Sequence, residues 1–481
     1  MLWIEDLRRV HPGPFVEIMR IVYVFITLKQ KGTEMLLNTI LNHVQKFKGF
    51  VFKKVQWANP EKTEIDVLVE ARANSQPRCS QCGRKGLRHG RQPVRRFAYL
   101  PLWGIPVMLV YAPRRVECSW CGVRVESLPW TLPENTKSPL TEMYAWYLAR
   151  WAKRLSWSEM AEAFKTTWDM VYQAVSMAVR WGLSHRDLSG ICSIGTDEIA
   201  LRKGHSYITL VYQIDEHCKR LLWIGKERTI ESFQGFFDWF GAEKSRALRF
   251  IASDMWGPFV KVIAQRAPQA LHILDRFHIM AHIGKAIDEI RAEEVRTLKA
   301  KGKQPLLSRS KWILLKRPEN LTPNQEIRLG ELLRHNLKAV RAYILKEDFQ
   351  SFWESVSPAW AEKFLNRWIT RVLRSRLEPM KKVARMLRNH QPLIVNWFRA
   401  KGQVSTGTIE GFNTKAKLTA RKSYGFRTFK VQEIALYHTL GALPVPNGPT
   451  NFPEEPFFCS YFPPKWSTFT LPNTPQKESD P

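Results

Sequence analysis

Cys192-Ser193-Ile194-Gly195-Thr196-Asp197-Glu198 opens the stretch whose reading decides the fold. Residues 192–195, 207–215 and 220–225 are short runs rich in apolar, β-branched and aromatic side chains, the composition of three successive strands. Residues 230–240 change to helical spacing, 248–253 read as a strand, 258–267 as a helix and 270–274 as another strand. Two acids fall at strand ends in this reading, Asp197 on the first strand and Asp254 just after the fourth.

Three meandering strands followed by strand-helix alternation give the order of an RNase H-like α/β core, with its first part at residues 190–287. In such a sheet the first and fourth strands are neighbours, so Asp197 and Asp254 converge at one edge. Their mutual repulsion calls for a divalent cation, and hard oxygen donors select Mg²⁺ or Mn²⁺. A third acid is offered by Thr408-Ile409-Glu410-Gly411-Phe412-Asn413. Thr408 reads there as the cap of a helix that presents Glu410 in its first turn and Asn413 on the same face. Glu198, next to Asp197 on a strand, points to the opposite face. Asp275 reads as a structural residue and His278 as a packed or solvated histidine. Residues 288–400 form a helical insertion, and 401–444 supply the closing helix of the core.

Working outward, 74 Lys and Arg against 44 Asp and Glu leave a formal charge of +30, which points to a polyanionic partner. A chain of 481 residues with 44% hydrophobic side chains has ample material for several cores, which excludes wholesale disorder. The basic charge is concentrated. Between Arg72 and Arg124 there are eleven Lys and Arg and one acid, Glu117; between Lys415 and Lys430 there are six and none. Arg95, Arg96, Arg114 and Arg115 in the first segment, and Lys415, Lys417, Arg421 and Lys422 in the second, are the expected phosphate contacts.

The first basic segment also holds Cys79-Ser80-Gln81-Cys82-Gly83 and Cys118-Ser119-Trp120-Cys121-Gly122. Each pair sets two sulfurs on a tight knuckle whose glycine lets backbone N–H groups turn toward them. Four thiolates suit Zn²⁺ better than two unrelated thiol pairs or a redox site. The 35 intervening residues exceed ordinary ribbon spacing, and the two strands expected within 96–115 are assigned the task of closing the gap. The zinc module is placed at 72–130, after an N-terminal segment at 35–71.

Residues 138–186 recur at helical spacing in three short pieces, with Ser156-Trp157-Ser158-Glu159 as a capping box for the second. This is the shape of a helix-turn-helix, with Thr167 and Gln173 on a third, base-reading helix; an ordinary helical linker fits these residues equally well. Residues 1–34 look foreign to the rest of the chain, and 445–481 form a Pro-rich, locally acidic tail. The apolar run at 15–28 is interrupted by Glu17 and Arg20 and falls short of the roughly 20 residues a spanning helix needs, so no membrane association is expected. Seven cysteines in so long a chain, four of them in the two knuckles, fit a reducing cytoplasm.

From about residue 35 to 444 the chain resembles the ISL3 family of bacterial insertion-sequence transposases. The resemblance is carried by Tyr99-Leu100-Pro101, by Arg115-Val116-Glu117-Cys118-Ser119-Trp120-Cys121, and by Thr196-Asp197-Glu198-Ile199-Ala200-Leu201-Arg202-Lys203-Gly204-His205. Leu274-Asp275-Arg276-Phe277-His278, Ile409-Glu410-Gly411-Phe412-Asn413-Thr414-Lys415 and Tyr424-Gly425-Phe426-Arg427 complete it, with Thr406 standing where the family often has Asn. The resemblance implies a DDE triad of Asp197, Asp254 and Glu410. It implies metal-dependent cleavage and strand transfer of double-stranded DNA, at terminal inverted repeats and a target, by a homo-oligomer working on bacterial chromosomal or plasmid DNA. The rival readings are a zinc and helix-turn-helix regulator without enzymatic activity, and a nuclease that cuts without joining. The expected architecture is thus multidomain α+β: a zinc-binding β module, a helix-turn-helix, and an RNase H-like core with a helical insertion.

Overall fold

Ile65, Val67 and Val69 alternate with more exposed residues, and this period of two builds the first sheet of the protein. The computed structural model of the chain describes residues 36–200, 207–227, 229–302, 306–400, 402–403, 407–423 and 425–446. The N-terminal extension, Leu201 to His205 of the first motif, Thr406, Tyr424 and the tail from 447 lie outside the described residues. The chain divides into two compact units, one ending at Trp181 and the other spanning Gly182–Pro444.

In the first unit a short helix, Leu37–Val44, precedes β1 (Phe50–Trp57), β2 (Ile65–Ala71), β3 (Leu87–Arg91), β4 (Arg95–Leu102), β5 (Ile105–Tyr111), β6 (Arg114–Cys118) and β7 (Gly122–Val125). These strands form two sheets, β1-β2-β5-β4 and β3-β6-β7. Trp130 is the hub under the larger one, with the rings of Phe47, Phe50, Phe97 and Tyr111 at 5.3, 4.9, 5.9 and 5.5 Å. The expected boundary between 71 and 72 therefore cuts through a sheet: β2 pairs in parallel with β5, some forty residues on. Three helices follow, Glu142–Trp151, Trp157–Ala163 and Trp168–His185. The capping box is formed, with Ser156 Oγ accepting from the Glu159 N–H and Glu159 accepting from the Ser156 N–H.

The second unit is organised on β8 (Ser193–Ala200), β9 (Tyr207–Ile214), β10 (Lys219–Lys226), β11 (Phe250–Ser253) and β12 (Leu271–Leu274), in the order β10-β9-β8-β11-β12. The first three run antiparallel; β8, β11 and β12 are parallel, with helices Ile230–Phe240 and Gly257–Arg266 in the connections. On one face Val211 joins Phe233, Phe236, Phe237, Phe240 and Phe259 in an apolar cluster. On the other, Tyr212 stacks on Phe412 of the closing helix Gly407–Lys422, with ring centroids 4.8 Å apart. Gly195 is required by this packing, because a Cβ there would stand 2.4 Å from Ile409 Cδ1.

One expectation changes at the insertion. The helix Arg276–Ala300 is continuous across 288, so the insertion grows out of the helix after β12 without a break. Within the insertion, residues 329–344 are divided between helices Pro323–Leu333 and Lys338–Gln350, and Leu333 and Ile344 are exposed. Among the described residues no helix is long and apolar enough to cross a membrane.

Candidate active site and metal centre

The Sγ atoms of Cys79, Cys82, Cys118 and Cys121 all lie within 4.8 Å of one another. Of the strands between the two pairs, β4 and β5 belong to the larger sheet and are not the ones that bring the knuckles together. The small β3-β6-β7 sheet does, with Cys118 opposite Gly122 and Cys79 bridged to Glu126. Gly83 and Gly122 adopt φ of +69° and +71°, a region that favours glycine and closes each knuckle. Gln81 N–H then donates to Cys79 Sγ at 3.4 Å. The N–H groups of Trp120 and Cys121 pull the Cys118 thiol down to about 7, whereas burial, with Cys82 and Cys79 close by, pushes Cys121 up to about 12. The cluster favours thiolates but crowds them, and a divalent cation relieves that crowding. Metal–sulfur bonds of about 2.3 Å in a tetrahedron separate sulfurs by about 3.8 Å, and Cys82 and Cys118 stand 3.6 Å apart.

The acids of the second unit are set by strand register. Ala252 pairs with Gly195 and Ser253 with Leu274, so extending the parallel register aligns Asp197, Asp254 and Asp275 side by side across β8, β11 and β12. Asp197 is the fifth residue of β8 and not its end, since the strand continues to Ala200. Burial raises the Asp197 pKa; the N–H of Glu198, at 2.7 Å, and the charge of His278 oppose this, and the Asp254 and Asp275 carboxylates add to it. Asp254 Oδ1 accepts from the Trp256 N–H at 3.0 Å. Asp275 caps the helix Arg276–Ala300, accepting from the Phe277 N–H at 2.9 Å, and holds His278 Nδ1 at 2.9 Å.

His278 is the residue that sequence reasoning undervalues. The Asp275 hydrogen bond raises its pKa to about 9 against the opposing effect of burial, with Asp197 and Asp254 contributing, so an imidazolium faces the acids at neutral pH. Asp275-Arg276-Phe277-His278 does carry a signal: an N-capping Asp with His one turn on brings the two side chains together.

Glu410 lies in the first turn of the closing helix and is exposed. Among the described residues the ligand oxygens of Asp197, Asp254 and Glu410 do not all lie within 4.8 Å of one another, and neither do those of Asp197, Asp254 and Asp275; the cysteine cluster is the group that meets that condition. Thr408 is inside this helix, which starts at Gly407, and does not precede it as a cap. The side chain that reaches Asp197 is Asn413, whose Nδ2 donates to Asp197 Oδ2 while its Oδ1 accepts from the buried Tyr212 hydroxyl at 2.9 Å.

Of the expected DNA contacts, Arg114 must be withdrawn. It is buried in an ion pair with Glu126 at 2.7 Å and donates to Ser75 O, so it is committed to the fold. Arg96 pairs with Glu64 and Asp66, and Arg95 donates to the carbonyls of Thr136 and Lys137. Thr167 caps the helix Trp168–His185 through the Met170 N–H, and Gln173 accepts from Ser138 Oγ at 2.8 Å. Arg115, Lys415, Lys417, Arg421 and Lys422 are exposed.

The family model for ISL3 transposases of the DDE type, described as a transposase, matches residues 194–435. The transposase for insertion sequence element IS1001 of Bordetella parapertussis is 27% identical over 396 residues, covering 82% of this chain and 96% of that protein. The transposase for insertion sequence element IS1557 of Mycobacterium tuberculosis is 26% identical over 405 residues, covering 78% of this chain and 89% of that protein.

Proposed function

This chain belongs to the ISL3 family of transposases, and from that premise we propose that it binds the terminal inverted repeats of an insertion sequence, cleaves their strands and joins them to target DNA. The observation that carries the reading is the row of Asp197, Asp254 and Asp275 across three parallel strands, with the closing helix fastened to Asp197 through Asn413. The strand order and the antiparallel-then-parallel pattern support an RNase H-like core.

Asp197, Asp254 and Glu410 are the residues that would hold Mg²⁺ or Mn²⁺; their hard oxygen donors, and the burial of the Asp197 carboxylate beside Asp254 and Asp275, fit such ions. Bound there, the ions would lower the pKa of an attacking hydroxyl and stabilise the leaving oxygen of an in-line displacement. Asn413 orients Asp197 by occupying one of its oxygens, and the Tyr212 hydroxyl fixes the amide so that its NH₂ faces the carboxylate. His278, paired with Asp275, offsets carboxylate charge when ions are absent. Glu410 comes to the site from the first turn of the closing helix, one turn before Asn413.

Cys79, Cys82, Cys118 and Cys121 hold a structural Zn²⁺ in this reading. The helices Glu142–Trp151, Trp157–Ala163 and Trp168–His185 act as a helix-turn-helix that reads the repeats. Arg115 and the exposed cations of the closing helix contact phosphates, and the protein works in the bacterial cytoplasm as a homo-oligomer on DNA. The test is a strand-cleavage assay in Mg²⁺ on DNA carrying the element's end, paired with gel shifts. Asp197→Asn and Asp254→Asn are expected to lose several kcal/mol of transition-state stabilisation, about a thousandfold in rate, with end binding retained. Near-normal cleavage by either variant would overturn the assignment.

A further inference from the structure

The helix Pro358–Leu373 of the insertion buries Ala361, Leu365, Trp368, Ile369 and Val372 in the insertion core. That stripe fixes which side faces outward. Lys363, Arg367 and Arg371 recur on the outward side at steps of four, and Arg374 continues the line past the helix end. Asn366, Arg367, Thr370, Arg371 and Arg374 line an open cleft of about 450 Å³. Trp360, 59% exposed at the start of the helix, has Lys363 Nζ over its ring at 5.2 Å.

The charge of this face is not neutralised within the fold. Arg371 is drawn to Asp348, but among the described residues no acidic side chain pairs with Arg367 or Arg374. Residues 358–388 hold nine Lys and Arg and two acids, a local excess that the zinc module and the closing helix do not account for. From Lys363 to Arg374 the line runs about 16 Å at 1.5 Å per residue, the length over which one DNA strand presents about five phosphates. Arg forks and a Lys at regular spacing, beside Asn and Thr donors, match a row of phosphate oxygens in sign, spacing and hydrogen-bonding type.

We propose that this face of the helical insertion is a duplex-DNA contact surface, binding the phosphate backbone without reading sequence. The proposal rests on the transposase reading and adds a DNA path over the insertion. The experiment uses the full chain and a random-sequence duplex, with affinity followed by fluorescence anisotropy from 50 to 200 mM salt. Replacing Lys363, Arg367 and Arg374 together by Gln removes three phosphate contacts, so the slope of log affinity against log salt should fall by about 2.7. The variant then loses about 40-fold less affinity than the wild type across that salt range. R367K with R374K should keep the wild-type slope, because the charges remain. A triple variant with the affinity and slope of a DNA-binding wild type overturns this inference alone, as does a double Lys variant as impaired as the triple. A wild-type chain with no salt-dependent DNA binding overturns the transposase reading itself.

Discussion

The cysteine cluster and the acidic row each gather groups of like charge, and they do so by different means. The four cysteines arrive as two pairs, each on a tight knuckle whose own N–H groups stabilise thiolate, and all four sulfurs stand within reach of one ion. The acids arrive singly, from β8, β11 and β12, and Glu410 from a helix more than 150 residues beyond Asp254. Three of these acids are aligned by strand register, with the His278 imidazolium facing them, while Glu410 is carried by the closing helix. A site built from local turns is completed by its own backbone. A site built from separate elements depends on how those elements meet.

The largest effect that would break this comparison is at the cysteines. Exchanging Cys79→Ser together with Cys118→Ser should abolish zinc retention, with a loss on the order of 10 kcal/mol of metal-coupled folding free energy. Elemental analysis of the purified protein reads the metal directly, and calorimetry should show the three-stranded sheet melting on its own. One zinc per chain persisting in that double variant would reject the cluster as the binding site.

A smaller effect is expected at Asn413. Removing its amide with Asn413→Ala leaves Asp197 Oδ2 without its side-chain donor, and a lost supporting interaction around a metal ligand costs about 10- to 100-fold. Single-turnover cleavage should fall by that factor while affinity for the DNA end is unchanged. A wild-type rate would show that the closing helix does not position Asp197.

The smallest effect is a pH dependence. The folded-state pKa of His278 is raised, mainly by its hydrogen bond to Asp275, to about 9. The stability it contributes is therefore fully present below about 6.5, its unfolded value, and is lost as pH rises through about 9. The side chain is one-third exposed, so solvent screening limits the amount to less than about 1 kcal/mol. Chemical denaturation of the metal-free protein between pH 6 and 9.5 should show this decline in the wild type and not in His278→Gln. Parallel declines in the two proteins would exclude this role for His278.

What can be read from residue order follows the same division. The two knuckles, the capping box at Ser156 and the apolar runs of β9 and β10 are short-range patterns, and each appears where its composition or spacing puts it. Long-range pairing is hidden. Nothing in residues 65–71 says that their neighbour is β5, so residue order alone divides the first sheet at 71. Arg114 looks like one more phosphate contact in an Arg-rich stretch because a charge count does not show that Glu126 lies beside it across two strands. Asp197 reads as a strand end because Glu198 interrupts the apolar run, yet both lie within β8, which pairs with β9 as far as Ala200.

The central claim is that Asp197, Asp254 and Glu410 form one metal site although they come from three separate elements and, among the described residues, are not gathered as tightly as the four cysteines. Mn²⁺ titration of the zinc-loaded full chain, followed by the spin-resonance signal of free Mn²⁺, tests it most directly. Asp197→Asn, Asp254→Asn and Glu410→Gln are each predicted to weaken Mn²⁺ binding at least tenfold, about 1.4 kcal/mol. Wild-type Mn²⁺ affinity in Glu410→Gln, alongside a clear loss in Asp197→Asn, would contradict it and leave Asp275 as the third carboxylate of the row.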